Sequence, residues 1–227
     1  MDFNNHVFGI INFLGIKIWL TESLINTWVI SFVLCLITLI LNIFVIKNFK
    51  ETPKFLQNIL ETIIEFVSSI IEKNLDIKSR MMEGYFFGLF IFILFSNLSG
   101  LLGLRPPTAD FSTCFSFALV TFFLIHTTGI ITGKSKYFKS YFEPNFVMLP
   151  INLISEIATP ISLSFRLFGN MIGGTIIMSM IYKLLPIFLK FWIPGIFHIY
   201  FDIFAGIIQS FIFISLSLIF IKNKTYD

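Results

Sequence analysis

Residues 146–182 read FVMLPINLISEIATPISLSFRLFGNMIGGTIIMSMIY, an apolar stretch interrupted by Pro150, Glu156, Pro160 and Arg166. A helix of that length extends on the order of 55 Å, well beyond a hydrocarbon core of roughly 30 Å. It must tilt steeply or break into pieces. The same holds for residues 184–221, which are interrupted near Pro194 and Gly195. Either outcome lays helix obliquely within a membrane, a geometry that suits a protein following the side of another object.

The rest of the chain supports the membrane reading. Of its 227 residues, 56% are hydrophobic and 13% charged, too little polar surface to cover a soluble core of this size. Residues 23–46 carry no charge and are long enough to span, and residues 84–104 and 111–133 form a second and third span. A turn containing Arg105, Pro106, Pro107 and Asp110 joins those two. Residues 53–73 differ in kind. Leu56, Ile59, Leu60, Ile63, Ile64, Val67, Ile70 and Ile71 recur at helical spacing, with Glu61, Glu65, Ser68 and Glu72 on the other face. That pattern predicts an amphipathic helix lying on a membrane or a partner rather than a span.

The expected fold is an all-α integral membrane protein, a single membrane domain over residues 1–227. It has about five membrane segments, one interfacial helix, and a final hairpin of two long tilted helices. The N-terminal segment, residues 1–22, lies outside; its apolar stretch from His6 to Ile16 lacks a basic flank and a small-residue cleavage site, so a cleaved signal peptide is not expected. Cys35 and Cys114 sit within apolar runs and read as small apolar side chains. His6, His126 and His198 form no metal-ligand spacing with them, and no metal or cofactor is expected. The formal charge of +3 gives no reason to expect a nucleic-acid partner.

Charge placement orients the chain. With the N-terminus outside, the inner segments hold Lys47, Lys50, Lys54, Lys73, Lys78, Arg80, Lys134, Lys136, Lys139, Lys222 and Lys224. The outer ones hold only Lys17, Arg105, Lys183 and Lys190, so the positive-inside rule selects this orientation.

Arg166 belongs to neither side. Centring an arginine in a bilayer costs at least ~2.5–3.5 kcal/mol, so it either snorkels, pairs with a structural carboxylate, or performs a task. Its nearest acid in sequence, Glu156, is ten residues away. A guanidinium is always charged and suits a fixed positive charge rather than a proton carrier. Asn170 shares its face at i+4. Ser162, Gly169, Gly173 and Gly174 thin the surface, either for ordinary packing or to admit another helix. In the final segment His198, Asp202 and Gln209 share a broad face with Ala205 and Gly206. An acid within a span is a candidate functional residue, while His198 could equally be interfacial. In the chosen orientation Glu156 lies inward of Arg166. Asn170, Thr175, His198 and Asp202 lie outward, and Gln209 nearer mid-membrane. Two polar clusters, each facing one compartment, flank a permanent cation: the layout of two offset half-channels with a barrier.

The run Glu156-Ile-Ala-Thr-Pro-Ile-Ser-Leu-Ser-Phe-Arg-Leu-Phe-Gly-Asn-Met171 closely resembles the signature of subunit a of F-type ATP synthases. Asn97-Leu-Ser-Gly-Leu-Leu-Gly103 with Pro107-Thr-Ala-Asp110 is similar to that family's second-to-third span connection, and Gln209-Ser-Phe-Ile-Phe213 to its final helix. The likeness covers most of the chain from about residue 50 onward.

The resemblance implies a stator subunit beside a rotating ring of c subunits, with peripheral-stalk b subunits and, indirectly, the F1 sector as further partners. It implies H+ (or Na+) translocation coupled to ATP synthesis, with no enzymatic activity in this chain by itself. Arg166 would attract the unloaded ring carboxylate and lower its pKa, and Gln209 would support it. Asn170, Asp202, Gln209, His198 and Asn97 would line the outer path, Glu156 and Ser162 the inner one. The family often places an acid five residues after the motif's Asn; here that position is Thr175, leaving Asp202 to carry the outer titration. A bacterial plasma membrane is implied, with the mitochondrial inner membrane as the alternative. The rival readings are a self-contained secondary transporter or channel, which usually shows internal repeats not evident here, and a haem- or quinone-binding subunit. The latter would use His126 and His198.

Overall fold

The computed structural model describes residues 7–13, 16–44, 47, 55–74, 80–133, 137, 139, 141–142, 146–186 and 188–226. Expectations resting on His6, Lys50, Pro53, Lys54, Lys78, Lys134 and Lys136 lie outside these residues.

The described chain opens on an antiparallel hairpin, β1 (Val7–Phe13) and β2 (Ile16–Thr21), with Ile11 opposite Ile18 and Phe13 opposite Ile16. Sequence reading gave this segment no structure, because VFGIINF lacks the strict apolar–polar alternation that marks a half-buried strand. Helix α1 (Glu22–Phe44) follows directly. Its lower two thirds expose Phe32, Val33, Leu36, Leu39, Ile40 and Phe44, so it touches the remaining helices only near its start. There the Asn26 side-chain amide donates to the Arg105 carbonyl at 2.9 Å. Such an apolar exterior is that of a lipid-facing helix.

Helix α2 (Phe55–Asn74) is the expected amphipathic element. Val67 and Ile71 are buried in the core and Ile70 packs against it, while Ile59, Ile63 and Ile64 remain exposed. The core proper lies between α3 (Arg80–Leu98), α4 (Phe111–Gly133) and the two long C-terminal helices. Phe86, Leu89, Phe90 and Ile93 from α3, Ala118 and Ile125 from α4, Leu163 and Leu167, and Phe213, Ile214, Leu218 and Ile221 form one cluster.

The α3–α4 connection is tightly made. A 3-10 turn (Ser99–Leu102) ends at Gly103, whose φ of 74° is the left-handed conformation that favours glycine. A second turn (Pro107–Ala109) begins on proline, and the Asp110 carboxylate accepts from the Ser112 N–H to cap α4.

The two long apolar stretches resolve differently. Helix α5 (Leu149–Leu184) is continuous for 36 residues and carries Pro160 in its interior, a residue tolerated where neighbouring helices pack around it. The second stretch breaks. After a 3-10 turn (Leu189–Phe191), α6 (Ile193–His198) leads through a π-helical segment (Ile199–Phe204) into α7 (Ala205–Tyr226). The final helix thus begins at Ile193 rather than at residue 184, and it runs beyond residue 221. Five helices are long and apolar enough to cross a membrane, Glu22–Phe44, Met81–Leu102, Phe111–Gly133, Leu149–Leu184 and Ile193–Lys224. The protein is an all-α integral membrane protein apart from its terminal hairpin, closed by a long C-terminal helical hairpin.

Candidate ion-translocation site

Arg166 sits near the midpoint of α5, and its side chain is exposed. It makes no hydrogen bond or ion pair with any described residue. The stripe on which it stands is built from small residues: Ala158, Ser162 and Gly169 are exposed, and a Cβ added to Gly169 or Gly173 would meet nothing within 4 Å. Ile154, Ile157 and Phe165 flank it, more than half exposed. Gly174 turns the other way and packs on Phe201. The stripe is therefore a shallow, backbone-lined track with one cation in it, of the kind that lets a second helix come close.

A polar cluster lies at the end of the bundle where α1 and α4 begin and α5 ends. Asp202 falls in the π-helical segment, whose extra residue per turn reorients the side chains around it. Its carboxylate is buried against Gly100, where an added Cβ would come within 3.3 Å of it. His198 Nδ1 lies 2.5 Å from Asp202 Oδ2, and His198 Nε2 lies 3.0 Å from the Tyr182 hydroxyl. His198 and Asp202, expected on one face, thus join Tyr182 in a relay of three groups leading from the exposed end of α5 into the interior. Sequence reading missed Tyr182, which is 16 residues from His198 and comes near it only because α5 and α6 form a hairpin.

Directly beneath, Asn97 is fully buried. Its amide nitrogen donates to the Gly206 carbonyl at 3.1 Å and reaches Ser210 Oγ at 3.5 Å, while its oxygen accepts from Thr108 at 2.7 Å. Gly206 makes this possible, since a Cβ there would stand 3.0 Å from Asn97 Cβ. The clasp fixes α7 to α3 and the Pro107–Ala109 turn just below Asp202. Replacing Asn97 by Leu is expected to lower the thermal stability of the detergent-solubilised protein by about 1 kcal/mol. A melting curve that does not shift would contradict the clasp.

Gln209, one turn further along α7, is buried, and its amide nitrogen has no hydrogen-bond partner among the described residues. No hydrogen bond joins it to Arg166. Asn170 is half-buried, and Thr175 turns its hydroxyl back to the Ile172 carbonyl at 2.9 Å.

At the opposite end Glu156 is held inside a second cluster. Lys224 of α7 forms an ion pair with it, and His126 Nε2 of α4 approaches to 3.6 Å. Tyr137 accepts or donates to His126 Nδ1 at 2.5 Å, and the Tyr137 and Tyr141 hydroxyls are 2.7 Å apart. Burial, then the bond with Tyr137, and then Glu156 push the Tyr141 hydroxyl above the ordinary phenol range, so it remains protonated. Of this group the sequence singled out Glu156 for the ion path, and His126 only under the rival haem-binding reading. The others come from three separate elements, and no spacing could have joined them.

Five helices long and apolar enough to span, an exposed arginine in mid-helix and a polar cluster towards each end are the features of a multi-pass membrane protein. The comparisons agree. The family model described as ATP synthase A chain matches residues 26–222. The chain is 34% identical over 224 residues to "ATP synthase subunit a, sodium ion specific" of Propionigenium modestum, covering 91% of this chain and 75% of that protein. It is 33% identical over 205 residues to "ATP synthase subunit a" of Moorella thermoacetica, covering 89% of each. This chain belongs to the ATP synthase A chain family, and it is an ion-translocating membrane subunit of an ATP synthase complex.

Proposed function

We propose that this chain is the stator half of the rotary ion path: it presents two offset half-channels to a ring of c subunits and loads and unloads H+ or Na+ on the ring carboxylates. The observation that carries this is the state of Arg166. A permanent cation in the middle of a membrane helix, exposed and without a partner among the described residues, calls for an anion from elsewhere. The open track of Ala158, Ser162, Gly169 and Gly173 supports the approach of a helix bearing that anion. A passing carboxylate gains an opposite charge there, which lowers its pKa and expels its ion.

The basic residues favour placing the Tyr182–His198–Asp202 cluster on the outer side and Glu156 on the inner side. In this reading an ion passes from the outside through Tyr182, His198 and Asp202, with Asn97 and Gln209 lining the lower part and Asn170 the face towards the ring. The buried Gln209 amide supports a polar path at that depth, because an interior donor calls for a partner. Ions leave along Ser162 and Glu156. The fixed charge of Arg166 repels any cation that would cross directly. The soluble F1 head and the b subunits of the stalk are the remaining partners, and a bacterial plasma membrane is the setting.

The test is cross-linking in the assembled complex. Cysteines placed at Gly169 and Gly173 should each form disulfides with cysteines near the ring carboxylate, while one at the buried Leu167 should not. Equal capture at all three positions, or none at the first two, would mean the ring lies elsewhere.

A further inference from the structure

The cluster around Glu156 contains a cation of its own. Lys224 lies in the last turn of α7, and its ammonium pairs with Glu156 while standing 4.6 Å from the centroid of the Tyr141 ring and 5.9 Å from that of Tyr137. A carboxylate and two aromatic faces are the two kinds of surface that bind a cation without giving it a covalent ligand. The enclosure is constructed from all sides. His126 comes from α4, Tyr137 and Tyr141 from the segment after it, Glu156 from α5 and Lys224 from α7; Asn152 of α5 fixes the segment by donating to the Tyr141 carbonyl at 3.0 Å. Gly129 gives it room, since an added Cβ there would fall 2.7 Å from the Tyr137 ring and 3.4 Å from the Lys224 carbonyl oxygen.

Glu156 is ten residues inward of Arg166, about 15 Å along the helix axis. An ion released at Arg166 and attracted inward meets this carboxylate already occupied. We propose that Lys224 is a tethered gate on the inner ion path: its ammonium holds the place of a departing cation at Glu156 and is displaced each time an ion leaves. Lys224 acts through Glu156 and is a positioning residue. Its location suits the motion, because the last turn of a helix opens more readily than its middle. The gate rests on the half-channel reading above. It differs from a staple that merely holds α5 to α7, because a staple, once removed, loosens the path and lowers coupled flow, whereas a gate once removed lets ions through faster.

The measurement uses the complete complex, reconstituted in vesicles and then stripped of its soluble head. Passive flow under an imposed potential is read with a pH dye for H+ and with a sodium tracer for Na+. Lys224→Met should raise the flow of the conducted ion ~2–5-fold, about the worth of a released partly exposed ion pair. Lys224→Arg, which keeps a cation over the rings, should return it to the starting rate. Flow that is unchanged or reduced in Lys224→Met overturns the gate. So does an increase that Lys224→Arg fails to reverse, because the rise then does not follow the lost charge. Should Lys224→Met not assemble, Lys224→Gln carries the same test with a polar end that can still bond Glu156. Arg166→Ala vesicles that keep the soluble head, run alongside, separate the two claims. If that variant retains ion-driven synthesis, the half-channel reading fails; if it loses synthesis while Lys224→Met flows normally, only the gate fails.

Discussion

Replacing Arg166 by Ala is expected to abolish ion-driven ATP synthesis while the subunit still assembles. Both halves of this expectation follow from the same geometry. The side chain is exposed and bonds to none of the described residues, so its removal leaves no described buried group stranded and no cavity in the cluster of Leu163, Leu167, Phe213 and Ile214. What is lost is the only charge on the α5 track. On the proposed path a ring carboxylate would then keep its ion as it passes, and nothing would repel a cation from crossing between the two polar clusters. Removing a preorganised charge of this kind typically costs ~10²–10³-fold in rate, and here the loss of the barrier compounds it. Synthesis driven by an imposed ion gradient, alongside a blot for the assembled complex, checks both halves. Coupled synthesis at the normal rate would remove Arg166 from the mechanism. Arg166→Lys should recover only part of the activity, since an ammonium does not offer the planar donor fork.

The second large effect is at Asp202. Its carboxylate is the innermost member of the Tyr182–His198–Asp202 relay, buried against Gly100 and 2.5 Å from His198 Nδ1. Asp202→Asn keeps the shape and removes the ionisable group, so packing is retained while ion uptake slows. A positioned proton-transferring group contributes ~10²-fold or more, and the fall in gradient-driven synthesis should be on the order of tenfold to a hundredfold. Synthesis rates measured across the pH range would decide it: unchanged transport at every pH contradicts a role for the carboxylate. His198→Gln should have a smaller effect, because the ring nitrogen lies between Asp202 and an exposed tyrosine and water can take its place.

How much of this was legible beforehand depended on the physical range of each signal. The spans of α1, α3 and α4 announce themselves through charge-free length, since a bilayer demands some twenty apolar residues in a row. The amphipathic α2 shows itself through period. Arg166 stands out because a charge in such a run is costly wherever it points. What the sequence could not convey was direction. That Gly169 and Gly173 open outward while Gly174 packs on Phe201 is a matter of helix rotation, which depends on every neighbouring side chain. The π-helical segment at Asp202 was hidden for a related reason. Pro194 and Gly195 mark the interruption of the last stretch, but its hydropathy does not show that the helix changes pitch at Ile199–Phe204.

The polar clusters divide in the same way. His198 and Asp202 are neighbours in sequence and could be paired by counting, but Tyr182 joins them across a helical hairpin. Asn97 was assigned to the outer path by resemblance, and the fold reveals the work of its amide, which ties Thr108, Gly206 and Ser210 together beneath Asp202. Lys224 read as one more positive charge on the inner side. Only the packing of α7 across α4 and α5 brings it to Glu156.

The central claim is tested most directly by a structure of the intact complex in a lipid environment, read at a single distance. The account predicts the Arg166 guanidinium at mid-membrane, facing the ring and within about 4 Å, or one bridging water, of a ring carboxylate. A guanidinium reaching into the headgroups, or a ring seated on a face of α5 other than the Ser162–Gly169–Gly173 track, would contradict it.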